Sequence, residues 1–285
     1  MSSNKSATTK RTAKIASVNA LKSSTTKKIS FASLNKWNFG LALLHAAQGV
    51  AVIILSKSVS FPVNTHFLTK DELASQAAGH PVLAVAVRHL FDVNLAYMVA
   101  AFFFMSAIAH ITIATLYRQN YESDLGKGIN KARWIEYALS ASTMIAAIGL
   151  LSGVYDISTL LAIFGLTAVM NLCGLVMEVH NQTTKKTSWI SYIVGATAGI
   201  MPWAVIAIYL KGAAVYGTGK IPTFVYWIYG TMFVLFFSFA LNMYLQYRKK
   251  GKWSDYLYGE RMYMILSLVA KTALAWQVFF GSLRP

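Results

Sequence analysis

The chain is 285 residues long, 56% of them apolar and 13% charged, with a formal net charge of +16. A water-soluble domain of that length needs far more charge to cover its surface, which excludes an ordinary soluble globule. The single cysteine, Cys173, excludes an intrachain disulfide, and the basic segments lack the interleaved stacking aromatics of a nucleic-acid binder.

Residues 1–33 are rich in Ser, Thr and Lys, with too little apolar mass to fold and no continuous apolar core of a signal peptide. A disordered basic tail is expected there, followed by a membrane domain over 34–285. Seven apolar blocks follow in order: Trp37–Leu55, Leu90–Tyr117, Ile135–Val154, Ile157–Val179, Trp189–Leu210, Phe224–Tyr247 and Tyr256–Leu283. Each is long enough to cross a hydrocarbon layer of about 30 Å. Backbone polar groups in lipid must be satisfied within the segment, so the expected fold is an all-α bundle of seven transmembrane helices. The connections are short except for Ser58–His89, where the stretch VNTHFLTKDE can hold a small β-hairpin. No internal repeat is evident, which weighs against an inverted-repeat transporter.

Orientation follows from the basic residues. Residues 1–36 carry Lys5, Lys10, Arg11, Lys14, Lys22, Lys27, Lys28 and Lys36 without one acid. The second, fourth and sixth loops add Arg118, Lys127, Lys131, Arg133, Lys185, Lys186, Arg248, Lys249, Lys250 and Lys252 to the same side. Only Lys57, Lys70, Arg88, Lys211, Lys220 and Arg284 fall on the other. The positive-inside rule then places the N-terminus in the cytoplasm and the C-terminus outside. A surplus of that sign suits an anionic inner leaflet.

Ionisable groups inside the spans are costly and need a partner or a task. Lys271 lies near the middle of the seventh span, in ILSLVAKTALAW. A desolvated amine there is either a Schiff-base former or a structural cation paired with a carboxylate. Glu136, in RWIEYALSAS of the third span, is the natural counter-charge, although pairing with Arg133 is an alternative. Ser267 precedes Lys271 by one turn on the same helix face. His45 and Gln48 in the first span and His110 in the second lie in the same half of the bundle. Together with Glu136 and Ser267 they outline one polar cavity around a buried cation, with imidazoles able to accept a proton. No spacing of His, Cys and Asp supports a metal.

Four stretches, GKWSDYLYGERMYMILSLVAKTALAWQVFFGSL, RWIEYALSASTM, LLAIFGLTAVMNL and GIMPWAVIAIY, resemble the heliorhodopsins. The likeness runs from about Phe31 to the C-terminus. It implies a rhodopsin-like bundle carrying all-trans retinal on Lys271 as a protonated Schiff base, with Glu136 as counterion. It also implies a hydrated cavity lined by His45, Gln48, His110 and Ser267, and a topology inverted relative to ordinary microbial rhodopsins. A homodimer is implied as well, the long first loop adding a small sheet to its interface. The chromophore pocket carries over to Tyr137, Met144, Met170, Gly174, Pro202, Trp203, Tyr209, Phe236 and Trp276. Flat walls suit a polyene, and Gly174 would permit close approach. Ala141 and Met243 stand where related sequences can have polar residues.

An ordinary light-driven proton pump uses carboxylates where this chain has Ser267 and Ala147. The resemblance therefore implies a photoreceptor, not an enzyme, with an unidentified cytoplasmic signalling partner. A light-gated proton channel and a retinal-free bundle with a structural lysine are the other readings.

Overall fold

The computed structural model describes residues 29–285, and its structured unit is Phe31–Pro285. The expected tail thus lies almost entirely outside the described residues. Seven helices are long and apolar enough to cross a membrane: α1 (Phe31–Leu55), α3 (Leu95–Ala114), α5 (Lys131–Leu151), α6 (Ile157–His180), α7 (Ile190–Tyr216), α8 (Thr223–Tyr247) and α9 (Tyr256–Val278). The last continues as a π-turn over Phe279–Leu283. Two short helices, α2 (Glu72–Ala78) and α4 (Arg118–Gly126), a 3-10 turn (Gly251–Ser254) and two strands, β1 (Ser60–Lys70) and β2 (Leu83–Asn94), complete the fold among the described residues.

The spans begin where side chains can satisfy the free N–H groups of a first helical turn. Asn94, Asn130, Asp156 and Asp255 accept from the amides of Tyr97, Arg133, Thr159 and Leu257. These caps correct the expected boundaries. The second span starts at Leu95 rather than Leu90, because Leu90–Asn94 continue a strand up to the Asn94 cap. The first span starts at Phe31, six residues before the apolar block.

α1 packs on α3, α3 on α5, α5 on α6 and α6 on α7; α8 packs on α9, and α9 closes on α1 and α3. Trp203 joins α7 to α8 by edge contacts with Tyr229, Phe233 and Phe236. Pro202, beside it, interrupts the hydrogen-bond ladder of α7. α5 is the most buried of the seven and α8 the least. At one end, the Lys57 amide donates to the Leu283 carbonyl at 2.7 Å.

The hairpin is far larger than the stretch expected for it. β1 and β2 pair antiparallel from Ser60↔Asn94 to Lys70↔Leu83, with a bulge between Val63 and Asn64, and α2 replaces a tight turn. Val63 anchors the base of the sheet among Leu150, Val154, Leu160 and Ile163. The Asn64 amide donates to the Tyr155 carbonyl at 2.8 Å, and His66 contacts Asp156 at 3.0 Å. Beyond that anchor Phe67, Leu68, Leu83, Val85 and Val87 are exposed. At the opposite end, α8 closes in a Schellman motif: Lys249 N–H donates to Gln246 O and Lys250 N–H to Leu245 O. Lys249 is the one non-glycine residue with positive φ (49°) among the described residues.

Candidate functional site

The site is assembled from α9, α5 and α3. One turn of α9 sets Ser267 under Lys271, and Nζ donates to Ser267 Oγ at 2.7 Å. From α5, Glu136 Oε1 comes within 3.2 Å of Nζ, and the Tyr137 ring centre lies 5.3 Å away. Ser106 on α3 donates to the same carboxylate at 2.6 Å. Lys271, Glu136, Ser106 and Ser267 are all buried. An ion pair so deep is sustained only where hydrogen bonds satisfy both partners, and here hydroxyls serve each of them.

Glu136 does not pair with Arg133, the alternative the sequence left open. Arg133 instead contacts Glu178 and Glu260. Glu178 also accepts from the Asn130 amide, Trp134 Nε1 and Tyr256 Oη at 2.9, 2.7 and 3.1 Å, and Glu260 from Asn130 Nδ2 at 2.7 Å. The guanidinium lies 4.0 Å from the Tyr263 ring centre. Two carboxylates and one guanidinium thus form a buried polar layer below the Lys271 pair. One cavity, lined by Asn38, His110, Arg133, Glu136 and Glu260 among others, joins that layer to Glu136.

His110 lines this cavity, and His45 lies against it from α1. His45 and His110 stack, with ring centres 5.7 Å apart and planes 5° from parallel. Asn38 spends its amide N–H on the Leu34 carbonyl, so its oxygen faces His110 Nδ1 at 2.7 Å. That assigns the proton to Nδ1 and leaves Nε2 as the ring's acceptor. Neither nitrogen of buried His45 has a hydrogen-bond partner among the described residues.

On the other side of Lys271 lies an apolar cavity of about 390 Å³, its mouth included, lined by Tyr137, Met144, Met170, Phe236, Ser267 and Lys271 with Ala141, Asn171, Phe239 and Ala270. Met170, Asn171, Phe236 and Phe239 are shared with a second compartment of about 510 Å³ that reaches Trp134, Gly174 and Met243. The remaining expected residues do not line these two cavities themselves, although Trp203 contacts the slot wall Phe236. Gln48 accepts from Trp276 Nε1 at 3.2 Å, joining α1 to α9. Trp203 sits in the α7–α8 aromatic cluster, and Tyr209 packs toward Val154 and Ile163 near the hairpin base. The close approach at Gly174 is made by the Trp134 ring, which a Cβ there would strike.

Ser106, Asn38, Asn130, Glu178 and Glu260 escaped the sequence reading. The two glutamates carried a usable signal, since a carboxylate within a span needs a cation and Arg133 stood nearby in the third. A serine in an apolar helix carries none.

The family model for heliorhodopsin matches residues 34–283. No curated protein sequence matches the chain. The crystal structure of a light-driven proton pump from Leptosphaeria maculans aligns with a TM-score of 0.57 at 15% identity, covering 86% of this chain and 94% of that one. Identity that low speaks to the seven-helix fold alone. The family match spans nearly all of the structured unit, including every residue of the Lys271 site, and the chain belongs to the heliorhodopsin family.

Proposed function

We propose that this protein is a light-sensing photoreceptor, with all-trans retinal bound as a protonated Schiff base on Lys271 and Glu136 as its counterion. The observation that carries the reading is the buried Lys271–Glu136 pair standing at the junction of an apolar slot and a polar cavity. The slot fits an elongated polyene: aromatic and methionine walls, a lysine at one end and a second compartment continuing from it. Bound there, retinal would supply visible absorption and a light-driven change of shape.

The residues of the chain supply the rest. An ammonium offers three N–H groups and a protonated imine one, so Ser267 and Glu136 would compete for a single donor. Tyr137 presents its ring to that charge. His110 lines a cavity that Glu136 shares, which supports a proton-holding role for the stacked imidazoles. Ser267 and Ala147 stand where an ordinary pump has carboxylates, which favours signalling over pumping. The basic surplus on the α4 side supports a cytoplasmic N-terminus and a signalling partner bound there. The uncovered apolar part of the hairpin supports a homodimer through that sheet.

Reconstitution with all-trans retinal, followed by whole-cell recording, tests the reading. The wild type should gain a visible band, Lys271→Ala should not, and light should evoke no sustained current. A band in Lys271→Ala overturns the linkage; a steady photocurrent that reverses with the proton gradient promotes a light-gated channel.

A further inference from the structure

Three connections at the end of the bundle opposite the hairpin converge on an open pocket of about 950 Å³, its mouth included. The turn after α4 contributes Lys127, the α6–α7 loop Lys185, and the end of α8 Lys249, with Tyr247, Trp253 and Tyr256 as aromatic surfaces. No carboxylate lines it. The acids nearby are committed: Glu122 pairs with Arg118, Asp124 with Lys131, and Asp255 caps α9. Lys127, Lys185 and Lys249 have no ion-pair or side-chain hydrogen-bond partner among the described residues.

The frame around these cations is already set. Trp253 Nε1 donates to Asn242 at 2.6 Å, Tyr247 Oη to the Met177 carbonyl at 3.1 Å, and Asn181 ties the α6–α7 loop to Ser188. Lys249 supplies an independent clue. It holds the left-handed position of the Schellman motif, where glycine would relax the backbone. The strained lysine backbone at a position that favours glycine therefore points to the same pocket, which Lys249 lines.

We propose that this pocket binds a phosphate-bearing anion, with the three ammonium groups taking the phosphate and the aromatic rings flanking its organic part. Lysine serves phosphate as a mobile point charge, and three converging from separate loops suit a multiply charged group. The floor residue Tyr256 also donates to Glu178 of the buried Arg133 layer. Binding itself is independent of retinal, so it is separable from the photoreceptor reading.

Inorganic pyrophosphate would be titrated by calorimetry into the 285-residue chain in neutral detergent. In a second arm, native mass spectrometry would follow phosphatidylglycerol retained after extraction from mixed phosphatidylcholine nanodiscs. Saturable pyrophosphate binding assigns a soluble phosphate; retained phosphatidylglycerol without it assigns a lipid headgroup. In either case Lys249→Gly should weaken binding by about tenfold or more while thermal stability holds or rises. Lys250→Gln and Lys252→Gln, which change lysines outside the lining, should have little effect. Absence of binding in both arms overturns the proposal, as does equal weakening by the outlying variants, which would reduce the pocket to general surface charge.

Discussion

Nζ of Lys271 lies 3.2 Å from Oε1 of Glu136, while Arg133, three residues earlier on α5, turns to other carboxylates. Glu136 is therefore the counter-charge available to a cation on Lys271. Glu136→Gln should move the retinal band to longer wavelength, because the positive charge loses what localises it in the ground state. Ser106→Ala should produce a smaller shift the other way, since removing a donor concentrates charge on the carboxylate. Absorption spectra of the two variants check both signs.

The Arg133 layer predicts an asymmetry in stability. Arg133→Gln strands Glu178 and Glu260 together without a cation and should cost about 3–5 kcal/mol. Glu260→Gln leaves the guanidinium paired with Glu178 and removes one of two like charges, so its cost should be clearly smaller. Thermal unfolding in detergent, followed by circular dichroism, measures the difference; equal losses would rule out the charge argument.

Acid should loosen the hairpin. Burial alone would raise the Asp156 carboxyl, but hydrogen bonds from His66 and from the Thr159 amide and hydroxyl outweigh it and hold the group below its ordinary value. A depressed acid contributes stability that is complete above its unfolded pKa and lost as pH falls through its folded one. Protection of β1 amides should therefore persist at neutral pH and fall only below about pH 4. Asp156→Ala, which also removes the α6 cap, should cost about 1 kcal/mol at neutral pH, and its difference from wild type should shrink in acid.

The stacked histidines should act jointly. His45→Phe or His110→Phe alone leaves one imidazole beside the cavity, so flash-induced absorbance changes should slow modestly. The double replacement should slow them by much more than the product of the single effects. Strict multiplicativity would show two independent groups.

What could be read from the chain divides by the range of the interaction. Seven spans were legible because membrane crossing is a property of local length and composition. Ser267 beneath Lys271 followed from helical periodicity within one segment. Contacts between segments were another matter. Gln48 meets Trp276 across 228 positions, Arg133 meets Glu260 across 127, and no local pattern announces either. Gly174 lines the second compartment, but the ring it admits is that of Trp134 on another helix, which no local pattern announces. The apolar block of the second span begins at Leu90, but strand pairing holds Leu90–Asn94 in β2 and the Asn94 cap starts the helix at Leu95.

α8 is the least buried of the seven spans, yet Phe236 and Phe239 on it wall the slot beside Lys271. Its outer residues, Trp227, Val234, Phe237 and Leu241, are exposed on the bundle's surface. Acyl chains yield where close-packed side chains do not, so α8 has less protein contact than the other spans to hold it against a change of bilayer thickness. Lipid chain length should thereby reach the walls of the slot through Phe236 and Phe239 without touching Lys271 or Glu136, and absorption spectra in bilayers of different thickness would show it.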